Sequence, residues 1–351
     1  MNLFEYVGKR KDEIEMYLDV ALREKAESTN EDYAHLYESL REFSIKGKHL
    51  RGCFFLLSYE MAGGKNLEPV IPVAAAIEIN GSALLIHDDI MDKDMLRRGG
   101  MSMFAKYIEE GKKIKAFDPH DYGVGSGIMI GDIGIILGFE LLDRAEIEKD
   151  FRQKVFTQYA QDMQITAVGQ MMDYDFSSTS IEPNEEEIIE VYRMKTARYS
   201  LINPFLMGAQ AAGANEEYCA TLLKIAENLG ILFQIRDDVM GLMGDEKETG
   251  KAARSDVREN KKTLIRKYLF ESANGDSTVL LERTFGSDQI SDDDFAELVN
   301  FVKTSGVEER INQKLQSMAA EIRKEVKQLS IEQSFKDLME ELIQYSLTRT
   351  K

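Results

Sequence analysis

Apolar residues recur at helical spacing through most of the chain, among Ala, Leu, Ile, Met, Glu and Lys, which all favour helix. The pattern predicts helices over 2–28, 31–61, 70–92, 120–143, 147–174, 185–213, 216–240, 261–274 and 293–347. The last is too long for one ordinary helix and should break near Gly306. Punctuation falls at "AGGKNLEP", "RRGGMS", "FSSTSIEPN", "GLMGDEKETGKAARSD" and "ANGDSTV". No short repeat, low-complexity tract or long linker interrupts the pattern, so one continuous all-α domain over 1–351 is expected.

Composition agrees with helix: 351 residues contain five prolines and no tryptophan. A formal net charge of −18 opposes attraction to nucleic acid or an anionic membrane surface. An anionic ligand would need a local basic cluster or a bound cation. With only Cys53 and Cys219 there is neither a disulfide framework nor a cysteine-rich zinc site, which suits a reducing cytoplasm. The N-terminus mixes charges into its apolar residues. The most apolar later run, "IMIGDIGIILGFELL", is broken by Asp132 and shorter than a membrane span, so a soluble protein with no transmembrane segment is expected.

The stretch "LLIHDDIMDKDMLRRGG" carries the first candidate chemistry. On a helix, Asp88 and Asp92 are i, i+4 and Asp89 and Asp92 are i, i+3, so three carboxylates crowd one face. Each like-charge pair costs about 0.2–0.5 kcal/mol, and a helix C-terminus is an unfavourable place for it. A solvated acidic helix end is the bland reading. However, Ala83, Leu84, Leu85 and Ile86 look buried, which sets the aspartates at the mouth of a pocket. Clustered carboxylates suit a hard cation such as Mg²⁺ that also binds substrate phosphates, and Arg97 and Arg98 would serve the same phosphates.

A second cluster repeats the arrangement. In "FQIRDDVMGLMGDEKETGKAARSDVRENKKT", Asp237 and Asp238 close another apolar helix and are followed by Asp245, Lys251, Asp256, Lys261 and Lys262. Two aspartate pairs, each trailed by basic residues, suggest acidic walls around a metal–diphosphate cluster. In "KGKHLRG", Lys48 and Arg51 lie one helical turn apart and would grip a second anion.

With "YGVGSGIMIGD", "GQMMD" and "MKTARY" between them, these motifs resemble, in order and spacing, a trans-isoprenyl diphosphate synthase of the geranylgeranyl or related long-chain kind. The resemblance implies an isoprenoid synthase-type helical bundle around a deep central cavity, a homodimer, and three Mg²⁺ ions. It implies that Asp88, Asp89 and Asp92 bind Mg²⁺ bridging an allylic diphosphate, with Asp237 and Asp238 serving the metal opposite. Arg97, Lys195, Lys251 and Lys261 would contact the allylic diphosphate, and Lys48, Arg51 and Arg98 would hold isopentenyl diphosphate. Thr196 and Gln234 fall where the family places polar groups near the developing carbocation. A terpene cyclase would not need Lys48, Arg51 and Arg98, and a noncatalytic partner subunit usually lacks an aspartate motif that this chain keeps.

The chain departs from the family pattern in places. Gly81 stands seven residues before Asp88, where His or Gln is usual, and Gly241 replaces a third aspartate in the second motif. Product length should depend on Ala83 and Leu84, five and four residues before Asp88. Ala83 in place of an aromatic floor favours a product of geranylgeranyl length or longer. Among discounted motifs, His87-Asp88 lacks the further histidines of a metal phosphohydrolase, and "YGVGSG" reads as close helix packing.

Overall fold

Some helices begin where the sequence supplies a side-chain cap. The Asn2 side chain accepts from the Glu5 amide at 2.9 Å while the Glu5 carboxylate accepts from the Asn2 amide, opening α1 (Leu3–Ser28). Asp118 accepts from the amides of His120 and Asp121 to start α6 (Pro119–Asp143), with proline at the first helical position.

The computed structural model describes residues 1–243, 254–287 and 289–349. The chain is all-α, as the pattern predicts. Between α1 and α6 lie α2 (Ala34–Ile45), α3 (Leu50–Met61), α4 (Ile71–Met91) and α5 (Met103–Lys113). After α6 come α7 (Lys149–Ser178), α8 (Glu185–Val191), a π-helix (Tyr192–Ile202), α9 (Asn203–Ala211) and α10 (Glu216–Met243). Then follow α11 (Ser255–Arg258), α12 (Leu264–Ser272), α13 (Asp276–Thr284), α14 (Asp292–Thr304), α15 (Val307–Gln328) and α16 (Gln333–Thr348). Among the described residues the sheet is a single hairpin, β1 (Leu96–Arg97) with β2 (Gly100–Met101).

Several expected boundaries move. The helix expected over 31–61 breaks at 46–49, because Gly47 follows α2 and His49 takes a left-handed φ of 53° before α3. Lys48 therefore precedes the helix that carries Arg51 instead of lying a turn below it on the same helix. α5 and α13 were not visible in the apolar pattern. The expected helix over 185–213 changes its winding at Tyr192. The break near Gly306 is present, at a left-handed φ of 80°.

The contacts define two compact units, each drawn from separate stretches of chain. The first comprises Met1–Ala160 and Asn203–Cys219, the second Gln161–Ile202 and Ala220–Lys351. In the first unit α4 packs on α3, α1 and α6, and is apolar nearly all round, as a core helix must be. In the second, α12 packs on α8 and α15, and α15 pairs with α16.

One feature of α6 fixes how α4 is held. Gly123, Gly127, Gly131, Gly134 and Gly138 form a ridge at three- and four-residue spacing. A carbon added at Gly134 would stand 2.9 Å from Ala83 Cβ, and one at Gly131 would overlap the His87 ring. The backbones of α4 and α6 thus meet with little between them, and His87 Nε2 lies 3.2 Å from the Ile128 carbonyl oxygen. Both helices are long and apolar enough to cross a membrane, which corrects the expectation that the α6 run is too short. A core helix passes the same test, and α4 is largely buried; α6 leaves Met129 and Ile136 exposed.

Candidate active site

In the first unit, α4 delivers Asp88, Asp89 and Asp92 at its C-terminal end. Asp88 and Asp92 are half-buried, whereas Asp89 is fully buried and turned into the protein. Arg97 Nε donates to Asp89 Oδ1 at 2.6 Å, and Arg97 Nη2 lies 3.4 Å from Asp94 and 3.8 Å from Asp88. Burial pushes the Asp89 carboxyl up to about 7, against the opposing pull of Arg97. Burial likewise works against the Arg97 charge, but Asp89, Asp88 and Asp94 together outweigh it and hold the guanidinium above its ordinary value. Asp94, buried beside Arg97, was not anticipated from the sequence.

The hairpin separates the two arginines. Arg98 and Gly99 both have positive φ, 53° and 73°, as the two central residues of a type I′ turn do. Arg97 is thereby sent toward Asp89. Arg98 donates instead to the Phe43 carbonyl oxygen and stacks on the Phe43 ring with its guanidinium carbon 4.6 Å from the centroid. Burial lowers Arg98 to about 10, with Arg51 and Arg97 adding repulsion and Glu78 opposing.

Glu78 is a second unanticipated residue. It is 4% exposed, accepts from the Gly52 amide at 2.7 Å and lies 3.6 Å from His49 Nδ1. Burial alone would raise its pKa, but His49, Arg51 and the Gly52 amide hold it below the usual carboxylate range. The start of α3, with the turn that bears Lys48 before it and Arg51 in its first turn, is thus tied to α4 by a buried anion. Ala83 is buried against Gly134, whereas Leu84 is half-buried.

In the second unit the structure brings together five of the expected residues. Thr196 Oγ1 donates to Gln234 Oε1 at 2.7 Å, and Gln234 Nε2 donates to Asp238 Oδ1 at 2.7 Å. The Tyr192 hydroxyl donates to the other Asp238 oxygen and accepts from the Leu264 amide at 2.8 Å. Burial raises the Asp238 carboxyl well above its ordinary value, with Tyr192 and Gln234 opposing. Lys195 and Lys261 both donate to Asp173 Oδ2, at 2.6 and 3.2 Å. Asp173 and Tyr192 were missed; the "GQMMD" motif contains the first, and nothing in the sequence marks the second. Asp237 meets Arg349 at 2.5 Å.

The winding of Tyr192–Ile202 explains why Lys195 and Thr196 reach this network. π-helical turns concentrate at functional sites. Two glycines admit this one: a side chain at Gly169 would strike the Lys195 backbone, and one at Gly230 would strike Ala197. Lys251 and Asp245 lie outside the described residues. Asp256 Oδ2 sits where a side chain at Gly241 would begin.

Among the described residues no three carboxylate, histidine or cysteine side chains converge on one metal position. The donor set, the half-buried carboxylates of Asp88 and Asp92 at the end of α4, fits an ion such as Mg²⁺ that takes few protein ligands and completes its shell with water and phosphate.

An all-α chain bearing two aspartate motifs, each with nearby cations, has the fold and the residues of the isoprenoid synthase class. The polyprenyl synthetase family profile matches residues 33–302. A geranylgeranyl diphosphate synthase of Sulfolobus acidocaldarius is 32% identical over 275 residues, 78% of each chain. A geranylfarnesyl diphosphate synthase of Aeropyrum pernix is 31% identical over 322 residues, 89% of this chain and 93% of its own. The fold matches that of a geranylgeranyl pyrophosphate synthase from Corynebacterium glutamicum, complexed with isoprenyl diphosphate and magnesium, with a TM-score of 0.90 over 99% of both chains at 24% identity. The chain belongs to the polyprenyl synthetase family and is a prenyltransferase.

Proposed function

We propose that this prenyltransferase condenses isopentenyl diphosphate with an allylic diphosphate, in the presence of Mg²⁺, to give an all-trans product of geranylgeranyl length or longer. The observation that carries this reading is the pair Lys195 and Lys261 sharing Asp173, beside the Thr196–Gln234–Asp238 chain. Two ammonium groups held on one carboxylate oxygen are a ready receptor for a diphosphate, which would compete with Asp173 for them.

Asp88 and Asp92 would hold magnesium in the first unit and Asp237 in the second, while Asp89 and Asp238, each buried and hydrogen-bonded, would hold Arg97 and Gln234 in place. Bound magnesium supplies positive charge that stabilises the departing diphosphate. Arg97, Lys195, Lys251 and Lys261 would bind that group more tightly as its charge grows, which lowers the barrier to breaking the allylic C–O bond. The Thr196 hydroxyl donates its hydrogen bond to Gln234 Oε1, so its oxygen would turn only lone pairs to a neighbouring carbocation. Lys48, Arg51 and Arg98 would orient isopentenyl diphosphate, whose double bond attacks the allylic carbon. The C–O bond breaks first, the resulting allylic cation is attacked to form the new C–C bond, and the released diphosphate takes the proton whose loss from the isopentenyl unit restores an allylic double bond. No side chain is assigned as base.

The exposed apolar residues Ile128, Met129 and Ile136 of α6 and Phe156 of α7 support a homodimer, to be checked by light scattering after gel filtration. The free thiols of Cys53 and Cys219 support a cytoplasmic setting. Labelled isopentenyl diphosphate supplied with dimethylallyl, geranyl, farnesyl or geranylgeranyl diphosphate and Mg²⁺ tests the reaction, with product sizing by chromatography. Extension that EDTA abolishes is expected; no extension of any primer would overturn the reading.

A further inference from the structure

Glycine is a poor residue for the middle of a long helix, yet Gly81 sits midway along α4. The reason is on the neighbouring helix. The first carbon of any side chain at 81 would lie 3.3 Å from Arg51 Cδ and 3.4 Å from Arg51 Nη1. Arg51, on α3, therefore crosses α4 over bare backbone. One turn earlier on α4 is Glu78, buried, charged, and bonded to the Gly52 amide that follows Arg51. Arg98 adds a third pole: its guanidinium lies 3.3 Å from where a side chain at Gly47 would begin, so two glycines border this cationic group.

We infer that Gly81 and Glu78 are positioning residues that together seat Arg51 for the diphosphate of the five-carbon substrate. Gly81 supplies the space and Glu78 the counter-charge, and Arg51 occupies the room that a longer residue at 81 would take. A longer side chain introduced at 81 consequently competes with the Arg51 guanidinium for this room and weakens the diphosphate contact that Arg51 makes. This rests on the proposed use of isopentenyl diphosphate.

The test uses the full chain, with separate KM values for isopentenyl and farnesyl diphosphate and a calorimetric Kd for isopentenyl diphosphate alone. Gly81→Gln is expected to raise KM and Kd for isopentenyl diphosphate about tenfold, with KM for farnesyl diphosphate and kcat changed less than about twofold. Glu78→Gln is expected to do the same. Gly81→Gln placed on Arg51→Lys should add less than about twofold to the effect of Arg51→Lys, because both changes remove one seated guanidinium. Should Gly81→Gln fail to fold by circular dichroism, Gly81→Ala, whose single carbon asks Arg51 for a small shift, carries the test at about threefold.

Tighter or unchanged isopentenyl diphosphate binding in Gly81→Gln, or fully multiplicative effects in the double variant, would overturn the seat while leaving the proposed function standing. A wild-type chain that neither binds nor consumes isopentenyl diphosphate overturns the function itself.

Discussion

Ala83 of α4 and Gly134 of α6 meet so closely that a methyl group on the glycine would stand 2.9 Å from the alanine's own. Ala83 therefore belongs to the seam between two helices, and enlarging either residue should pry them apart. Gly134→Val and Ala83→Phe are each expected to lower stability by about 1–3 kcal/mol, read from urea unfolding. Leu84, half-buried beside that seam, is the residue whose enlargement to Phe should shorten the product without such loss. Equal stability for Ala83→Phe and wild type would show that the seam tolerates a ring.

The three aspartates of the first motif should respond differently to truncation. Asp88→Ala and Asp92→Ala are expected to cut turnover by orders of magnitude while changing stability by less than about 0.5 kcal/mol, since each also relieves like-charge crowding. Asp89→Ala removes the shortest ion pair of the buried Arg97 guanidinium, leaving it Asp94 and Asp88 at longer range, and should destabilise by about 1–3 kcal/mol. Urea titrations of the three variants side by side decide this, and a common effect on all three would refute the division of roles.

Asp173→Asn leaves Lys195 and Lys261 close together without their shared counter-charge. A drop in stability of about 1–3 kcal/mol at low salt is expected, partly recovered by inorganic diphosphate with Mg²⁺. Thermal melts with and without diphosphate measure it; no recovery would argue that the lysines do not receive this anion.

Tyr192→Phe removes the donor to Asp238 and the acceptor of the Leu264 amide in one atom. Two buried polar groups then lose a partner, so a destabilisation of about 1–3 kcal/mol is expected in urea titrations. Turnover should fall as well, because Gln234 and Thr196 are oriented through the same carboxylate.

Helix class and the crowding of Asp88 and Asp92 were legible because they depend on local spacing: i, i+4 carboxylates share one face in any helix. Arg97, Lys195, Thr196, Gln234 and Lys261 were legible only through resemblance to a family. Glu78, Asp173 and Tyr192 were not singled out, since an acid or tyrosine among apolar residues looks like any other until its partner, tens of residues away, is known. The break before α3 was hidden for a related reason. His49 is not a residue that announces a left-handed turn, and only the packing of its ring against Glu78 shows why the chain bends there.

The wide winding at Tyr192–Ile202 also says what kind of genetic change this enzyme should not survive. A π-turn holds one residue more than an α-turn, so deleting a single residue there would return the segment to tighter winding. Residues between the cut and the end of the wide stretch would turn by about 100° around the helix axis, while the helices on either side keep their register. Such a deletion would leave every charged group in the protein intact and still misdirect Lys195 and Thr196, a lesion of phase and not of chemistry.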